Sequence, residues 1–331
     1  NTVRMTLEEV RIFLGKDWED TDALIRSSLE SDIDLLNATN TAILSHSGKQ
    51  LRPLISLLVA RACSGGVANA DSIHYAAASE LLHNATLLHD DVADSSSERR
   101  GYPTVMSLLG GAASVLIGDY WLVRAMENIL ASSVHGNEVI RIFSRTLSHL
   151  AEGEMLQLQK ATSGDTDEKD YLRIIYSKTA SLFESSAVSA AISVNATQEQ
   201  VEAVRNYAVS LGIAFQIKDD IFDYSDGQDI GKPVGIDLDE QKITLPLLGA
   251  LKSVSGEDEA AIRKKVTDIS DHPEYKEEIR NFVRERDGVE YAVSVLDEYV
   301  LKAKDALSVL PDSKEKEYLI SIAGFTAYRN C

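Results

Sequence analysis

Cysteine is almost absent from this sequence: there are two, Cys63 and Cys331, in 331 residues. Their spacing suits neither a zinc site nor a disulfide framework. The chain therefore reads as one for a reducing compartment, taken here as the cytoplasm. Long apolar runs are missing too. No stretch reaches the roughly 18 uninterrupted apolar residues of a membrane-spanning helix, and Asn1–Lys16 lacks the basic start and apolar run of a signal peptide. Positive charge is scarce, with 33 Lys and Arg against 52 Asp and Glu and a formal net charge of −19. That balance argues against a nucleic-acid partner, because phosphate contacts need clustered cations. It suits a protein that binds cations, or one that is merely soluble. Alternating strand patterns, linkers rich in Pro, Gly or Ser, and low-complexity tracts are absent as well.

What is present is helical periodicity. A composition of 44% hydrophobic and 26% charged residues supports a sizeable core. Apolar residues recur at helical spacing across Asp20–Ser45. Leu54–Cys63 reads as a compact apolar helix, and Asp71 is a plausible N-cap for a helix reaching Asp91. Ala112–Leu130 is apolar nearly all round and is expected to be largely buried. Helices follow over Asn137–Lys160, Tyr171–Asn195 and Gln198–Asp223. Ser225–Lys242, rich in Gly and acids, reads as a long loop of the functional kind. Amphipathic helices fill the rest, over Thr244–Lys252, Glu257–Ile269, Pro273–Arg286, Asp287–Leu310 and Ser313–Tyr328. The expectation is an all-α fold and a single domain, residues 1–331.

The chemistry is concentrated in a repeated acidic pattern. Asp90, Asp91 and Asp94 follow an apolar helical run with no Lys or Arg between them. At i and i+4, Asp90 and Asp94 share a helix face. Near a helix C-terminus the macrodipole opposes negative charge, so the placement is poor for stability. Alone, the cluster suits a solvated helix end as well as a metal site. Asp219, Asp220 and Asp223 repeat the same spacing 129 positions later, again after a long apolar helix. Two such clusters supply up to six carboxylates, and two carboxylate walls with Mg²⁺ between them form a cradle for a diphosphate.

Basic residues stand beside both clusters. Lys49 and Arg52, just before Pro53, sit where a helix N-terminus favours anions, although a lone KxxR is usually surface charge. Arg99 and Arg100 follow the first acids directly. Lys232 and Lys242 lie in the Gly-rich loop after the second, placed to close over a bound diphosphate as a lid. His89, beside Asp90, is read as a packing residue.

GKQLRP at 48–53, HNATLLHDDVAD at 83–94, Arg99-Arg100-Gly101, Lys178-Thr179, QIKDDIFD at 216–223 and GKPVGIDLDEQKITLP at 231–246 together resemble the trans-isoprenyl diphosphate synthases. The resemblance covers most of the chain and is greatest to the bacterial long-chain, octaprenyl-type synthases. It implies an all-α bundle, normally a homodimer, around a deep central cavity flanked by the two aspartate motifs. It implies two or three Mg²⁺ ions, with Asp90, Asp94 and Asp219 as main ligands and Asp91, Asp220 and Asp223 assisting. Arg99, Lys178, Thr179, Gln216, Lys232 and Lys242 would serve the allylic diphosphate. Lys49, Arg52, His83 and Arg100 would hold isopentenyl diphosphate. Ala85 and Thr86 would face the product tunnel, and their small size implies long products for quinone side chains. Tyr120, Trp121 and Met126 are candidates for the tunnel's far end. One departure stands out: Gln241 occupies a position where the family usually has Gly, which puts the placement of Lys242 in doubt.

Three other functions fit parts of this pattern. A shorter-chain farnesyl or geranylgeranyl diphosphate synthase shares every motif. A class I terpene cyclase needs no second diphosphate site, against which stand Lys49, Arg52 and Arg100. A non-catalytic subunit of a heteromeric synthase would be expected to lose one acidic motif. Product release to a membrane would involve peripheral contact only.

Overall fold

The computed structural model describes residues 5–225 and 234–328. The described residues form helices in this order: α1 (Leu7–Leu14), α2 (Lys16–Ser28), α3 (Asp34–Ser45), α4 (Leu51–Ala62), α5 (Ala70–Ala93), α6 (Val105–Leu109), α7 (Gly111–Leu130), α8 (Gly136–Ser163), α9 (Glu168–Ile175), α10 (Ser181–Ser193), α11 (Gln198–Phe222), α12 (Ile236–Asp239), α13 (Leu245–Leu251), α14 (Gly256–Thr267), α15 (Tyr275–Glu285), α16 (Gly288–Ala306) and α17 (Lys314–Tyr328). The expected all-α class holds. The one β feature among these residues is a two-stranded antiparallel pair, β1 (Glu98–Arg99) with β2 (Tyr102–Pro103). None of the helices is long and apolar enough to cross a membrane.

The chain divides into two compact units. One takes the chain to Ser144, with Ser185–Arg205 and Val309–Leu319; the other takes Arg145–Glu184, Asn206–Ser308 and the chain from Ile320.

In the first unit α4 is the central helix: ten of its 12 residues are buried, so it has almost no solvent face. Helix α5 packs beside it and buries Tyr75, Ala76, Ala77, Ala78 and Leu81 fully. Its start differs from the expectation. Asn69, not Asp71, is the N-cap: its side chain accepts from the Ser72 amide at 2.9 Å, and the Ser72 hydroxyl accepts from the Asn69 amide at 3.2 Å. This reciprocal box satisfies two end groups at once. Asp71 instead accepts from the Ser133 amide at 3.0 Å, beyond the end of α7. The stretch Asp20–Ser45 is also broken. Helix α2 stops at Ser28, and buried Asn40 on α3 donates to the Leu29 carbonyl at 3.1 Å, turning the chain back.

The expected burial of Ala112–Leu130 is overturned. Helix α7 buries Ser114, Ile117, Gly118, Trp121, Ala125, Asn128 and Ile129. Leu116, Val123 and Leu130 are 67%, 52% and 60% exposed. These three recur at a seven-residue interval, so they line one face, and composition alone does not separate that face from a buried one.

The second unit is built on α13, α15 and α16. Leu245, Leu247, Val283, Ala292, Leu296 and Val300 share its core. Gly288 begins α16 so close to α13 that a Cβ there would lie 2.1 Å from the Pro246 carbonyl oxygen. The expected helix over Tyr171–Asn195 is interrupted in this unit by a π-helical turn, Tyr176–Ala180, between α9 and α10. The extra residue of a π turn re-aims side chains and recurs at functional sites. This turn carries Lys178 and Thr179.

Candidate active site

The first acidic motif closes α5. Asp91 is buried, Asp90 is half-buried, and Asp94 is exposed as the C-cap residue. Arg99 holds Asp91: its Nε and Nη2 donate to the same carboxylate oxygen at 3.0 and 2.7 Å. Such charge-assisted bonds are roughly twice as strong as neutral ones. Arg99 reaches back because β1 and β2 form a hairpin across Arg100-Gly101. Both turn residues have positive φ, 54° and 79°, which matches the right-handed twist of the strands. Serine-rich sequence between Asp94 and Arg99 gave no sign of this hairpin.

The hairpin also brings Arg100 to the chain before α4. Arg100 Nη1 donates to the His46 carbonyl at 2.9 Å. A Cβ at Gly48 would lie 2.7 Å from the Arg100 Cζ, so glycine is required for this approach. Gly48 and Gln50 both have positive φ, 69° and 54°, which folds residues 48–52 into a tight entry to α4. The Lys49 carbonyl is held by Arg11 at 2.7 Å. Arg52 Nη1 lies 3.3 Å from His83 Nε2. Arginine can only donate, so Nε2 accepts and the ring is neutral. Burial, and then Arg52, Arg100 and Arg99, push the His83 pKa well down, in agreement. Burial also pushes Arg52 down to about 10, with Arg100 adding to the effect and Glu80 opposing it. Lys49, Arg52, His83 and Arg100, predicted as one subsite, thus belong to one corner of the first unit.

The tunnel candidates sit on the same helix. Ala85 is buried, and its carbonyl oxygen is 3.3 Å from where a Cβ at Gly118 would stand, so α7 packs closely against α5 there. Thr86 is half-buried, its hydroxyl donating to the His83 carbonyl at 2.6 Å. Trp121 is fully buried and donates to Asn40 at 2.8 Å; the Tyr120 hydroxyl donates to the Glu30 carbonyl at 3.2 Å. Met126 is half-buried. His89 pairs with Asp119 at 3.1 Å and lies over Gly118, in keeping with a packing role. A polar cavity of about 220 Å³ between α2 and α7, lined by residues such as Ser28, Glu30 and Arg124, contains no member of either acidic motif.

In the second unit the second motif ends α11. Asp220 and Asp223 are buried and Asp219 is exposed. Asp220 is braced twice. Gln216 Nε2 donates to one oxygen at 3.1 Å, and the Tyr171 hydroxyl makes a short hydrogen bond to the other. Thr179 in turn donates to Gln216 at 2.8 Å. Thr179, Gln216, Asp220 and Tyr171 therefore form one chain of hydrogen bonds. Burial, then Asp237, pushes the Asp220 pKa well up. Asp223 accepts from the backbone amides of Ile236 and Asp237 at 3.1 and 3.2 Å. Its own carbonyl takes Arg280 Nη1 at 2.7 Å, and Arg280 Nη2 takes the Ser225 carbonyl at 2.8 Å. Asp237 is pushed up to about 7 by burial and by Asp223.

Lys178 pairs with Glu154 at 2.9 Å and makes a short hydrogen bond to Gln157. Lys242 pairs with Glu240 at 2.6 Å, and its amide donates to the Asp237 carbonyl at 2.8 Å. Lys232 lies outside the described residues. The segment read as a long loop contains α12, a single helical turn. Gln241 keeps a glycine-like backbone, with φ 62°. Its side-chain amide donates to the Thr267 carbonyl at 3.0 Å and Ser270 Oγ at 3.3 Å. These bonds offset the roughly 1–2 kcal/mol that a left-handed conformation costs a residue with a Cβ. The departure from glycine therefore leaves the turn intact.

Sequence reasoning missed Tyr171, Glu154, Gln157, Asp237, Arg280 and Glu80. Tyr171 lies 49 positions from Asp220 and Arg280 lies 57 from Asp223, so no local pattern links them. Asp237 stood inside a quoted motif and carried a usable signal. No group of three or more His, Cys, Asp or Glu side chains among the described residues converges into a ready-made cation cage. What each motif offers instead is hard carboxylate oxygen at a solvent-facing helix end. That donor set suits Mg²⁺, which keeps waters and takes its remaining ligands from substrate phosphates.

A polyprenyl synthetase family model matches residues 33–283. An octaprenyl diphosphate synthase of Haemophilus influenzae is 38% identical over 327 residues, 98% of each chain. Among solved structures, a decaprenyl diphosphate synthase from Rhodobacter capsulatus superposes with a TM-score of 0.89 at 34% identity, covering 97% of this chain and 98% of its own. A polyprenyl synthase from Caulobacter crescentus, in complex with calcium and isoprenyl diphosphate, gives 0.89 at 33% identity over 98% of both chains. By sequence over nearly its whole length and by fold, the chain belongs to the polyprenyl synthetase family.

Proposed function

We propose that this chain condenses isopentenyl diphosphate with an allylic diphosphate, head to tail and in trans, to make a long-chain polyprenyl diphosphate. One observation carries the reading. In each acidic motif a buried carboxylate is locked by its own unit, Asp91 by Arg99 and Asp220 by Tyr171 and Gln216. Asp90, Asp94 and Asp219 lie farther toward solvent. The locked acids fix the helix ends; the outer ones are presented for two or three Mg²⁺ ions. When bound, Mg²⁺ supplies positive charge against the diphosphate as it leaves.

The protein's own residues do the rest. Lys49, Arg52, His83 and Arg100 bind isopentenyl diphosphate, with neutral His83 donating through Nδ1. Arg99, Lys178, Thr179, Gln216, Lys232 and Lys242 hold and orient the allylic diphosphate, so that cationic donors meet the charge that develops on its leaving oxygen. The double bond of isopentenyl diphosphate attacks the allylic carbon, and the resulting cation loses a proton to the departing diphosphate. No side-chain general base is needed. Residues 1–331 act as one catalytic domain, a reading supported by a family match that draws on both compact units. The enzyme works in the cytoplasm, touches the membrane only to pass on its product, and supplies quinone side chains.

The exposed stripe of α7 supports a homodimer. Leu116, Val123 and Leu130, with Leu108 at 68% exposure on α6, make an apolar face suited to a second copy of itself. Leu116→Glu is expected to shift the protein to monomer in sedimentation velocity. A wild-type monomer would sink this part.

The decisive assay supplies Mg²⁺, radiolabelled isopentenyl diphosphate and primers of increasing length. Long polyprenyl diphosphates are expected; hydrocarbon or alcohol would mean a cyclase, and no turnover a non-catalytic subunit. In the same assay Ala85→Phe is expected to shorten the product, because a bulky ring replaces a methyl group where α5 meets α7. An unchanged product ladder would remove Ala85 from the tunnel.

A further inference from the structure

Glu80 is a buried carboxylate with no role so far. It lies on α5 one turn before His83 and is 1% exposed. One oxygen accepts from Asn84 Nδ2 at 2.9 Å. The other is buried and has no hydrogen-bond partner among the described residues. Burying a charge costs several kcal/mol unless opposite charge compensates it. Burial is the largest influence on Glu80 and leaves its pKa raised overall, while the Asn84 hydrogen bond and then the charges of Arg52 and Arg100 pull the other way, toward the ionised form. The influence is mutual: Glu80 favours protonated Arg52, and Glu80 together with Asp91 favours protonated Arg100. Those two arginines meanwhile disfavour each other and His83. Without Glu80, the two guanidinium groups assigned to isopentenyl diphosphate would lose the buried negative charge they share.

We propose that Glu80 is a positioning residue for the isopentenyl diphosphate site, a built-in counter-charge that keeps Arg52 and Arg100 gathered around His83 before the diphosphate arrives. This rests on the assignment of Lys49, Arg52, His83 and Arg100 to that substrate. Glu80 does not touch the substrate. It acts from beneath, while the diphosphate approaches the same cations from the open side. A carboxylate with one unsatisfied oxygen is a poor choice for packing alone, because a buried glutamine or leucine would avoid the cost of the charge. A group that preorganises a binding site lowers the ordering cost of binding.

The test is Glu80→Gln, which keeps size and an acceptor for Asn84 but removes the charge. The KM for isopentenyl diphosphate is expected to rise about tenfold, with kcat and the KM for the allylic primer within about twofold, the pattern of lost ground-state binding. Calorimetric titration with isopentenyl diphosphate alone should show the same loss without turnover. Glu80→Asp, which retains the charge, should recover most of the affinity. If Glu80→Gln does not fold, Glu80→Asp decides: affinity within about threefold of wild type supports the proposal, and a tenfold loss overturns it. An unchanged KM in folded Glu80→Gln, or equal rises for both substrates, also overturns it. Arg52→Gln separates the underlying assignment: if it leaves isopentenyl diphosphate binding intact, the subsite itself is misplaced.

Discussion

Asp90→Ala and Asp219→Ala are each expected to lower turnover by about 10³-fold or more, roughly 4 kcal/mol of lost transition-state stabilisation. Both residues lie at the solvent side of a helix end, so the fold should survive. Thermal unfolding should therefore be nearly unchanged while incorporation of labelled isopentenyl diphosphate collapses. The inner acids should behave differently. Asp220→Ala strands the Tyr171 hydroxyl and the Gln216 amide in a buried site, and leaving buried polar groups unpaired costs about 1–3 kcal/mol each. Its activity loss should come with a lower Tm. Near-normal rates in either outer variant would falsify the assignment of the two motifs to a shared metal–diphosphate chemistry.

Arg280→Met is expected to cost about 3 kcal/mol of stability, from two charge-assisted bonds of roughly 1.5–3 kcal/mol each less what methionine's packing restores. Arg280 is 3% exposed, on α15, and grips the Asp223 and Ser225 carbonyls where α11 ends. Both carbonyls lie just past the end of α11; the Asp223 carbonyl also accepts from the Gly235 amide at 3.0 Å, and the guanidinium acts beside it as a C-terminal cap set far away in sequence. Losing it should loosen the segment in which Asp223 accepts the amides of residues 236 and 237. Urea denaturation should show a lower midpoint, and the KM for the allylic substrate should rise. A midpoint equal to that of the unaltered protein would show that the two carbonyls are satisfied without Arg280.

The acidic motifs were legible because their signal is local. An i, i+1, i+4 spacing after an apolar run places acids at a helix end whatever surrounds it, and α5 and α11 do end there. Helix existence was legible for the same reason. Boundaries failed where two local solutions compete. Asn69 and Asp71 are both good caps, and the reciprocal bond from Ser72 favours Asn69. Burial failed on α7, since an apolar helix facing solvent and one facing a core read alike.

The sequence by itself determined the all-α class, the two carboxylate clusters and the basic residues that accompany them, because helical periodicity and residue spacing act over a few turns. Only tertiary structure decided which acids are buried and which lie nearer solvent. Arg99 returns to Asp91 through a hairpin, Tyr171 reaches Asp220 from another helix, and backbone amides thirteen and fourteen positions on hold Asp223. It also decided that Glu80 is buried rather than solvated. These outcomes depend on groups distant in sequence meeting at low dielectric, where an unpaired charge is costly and a paired one is held.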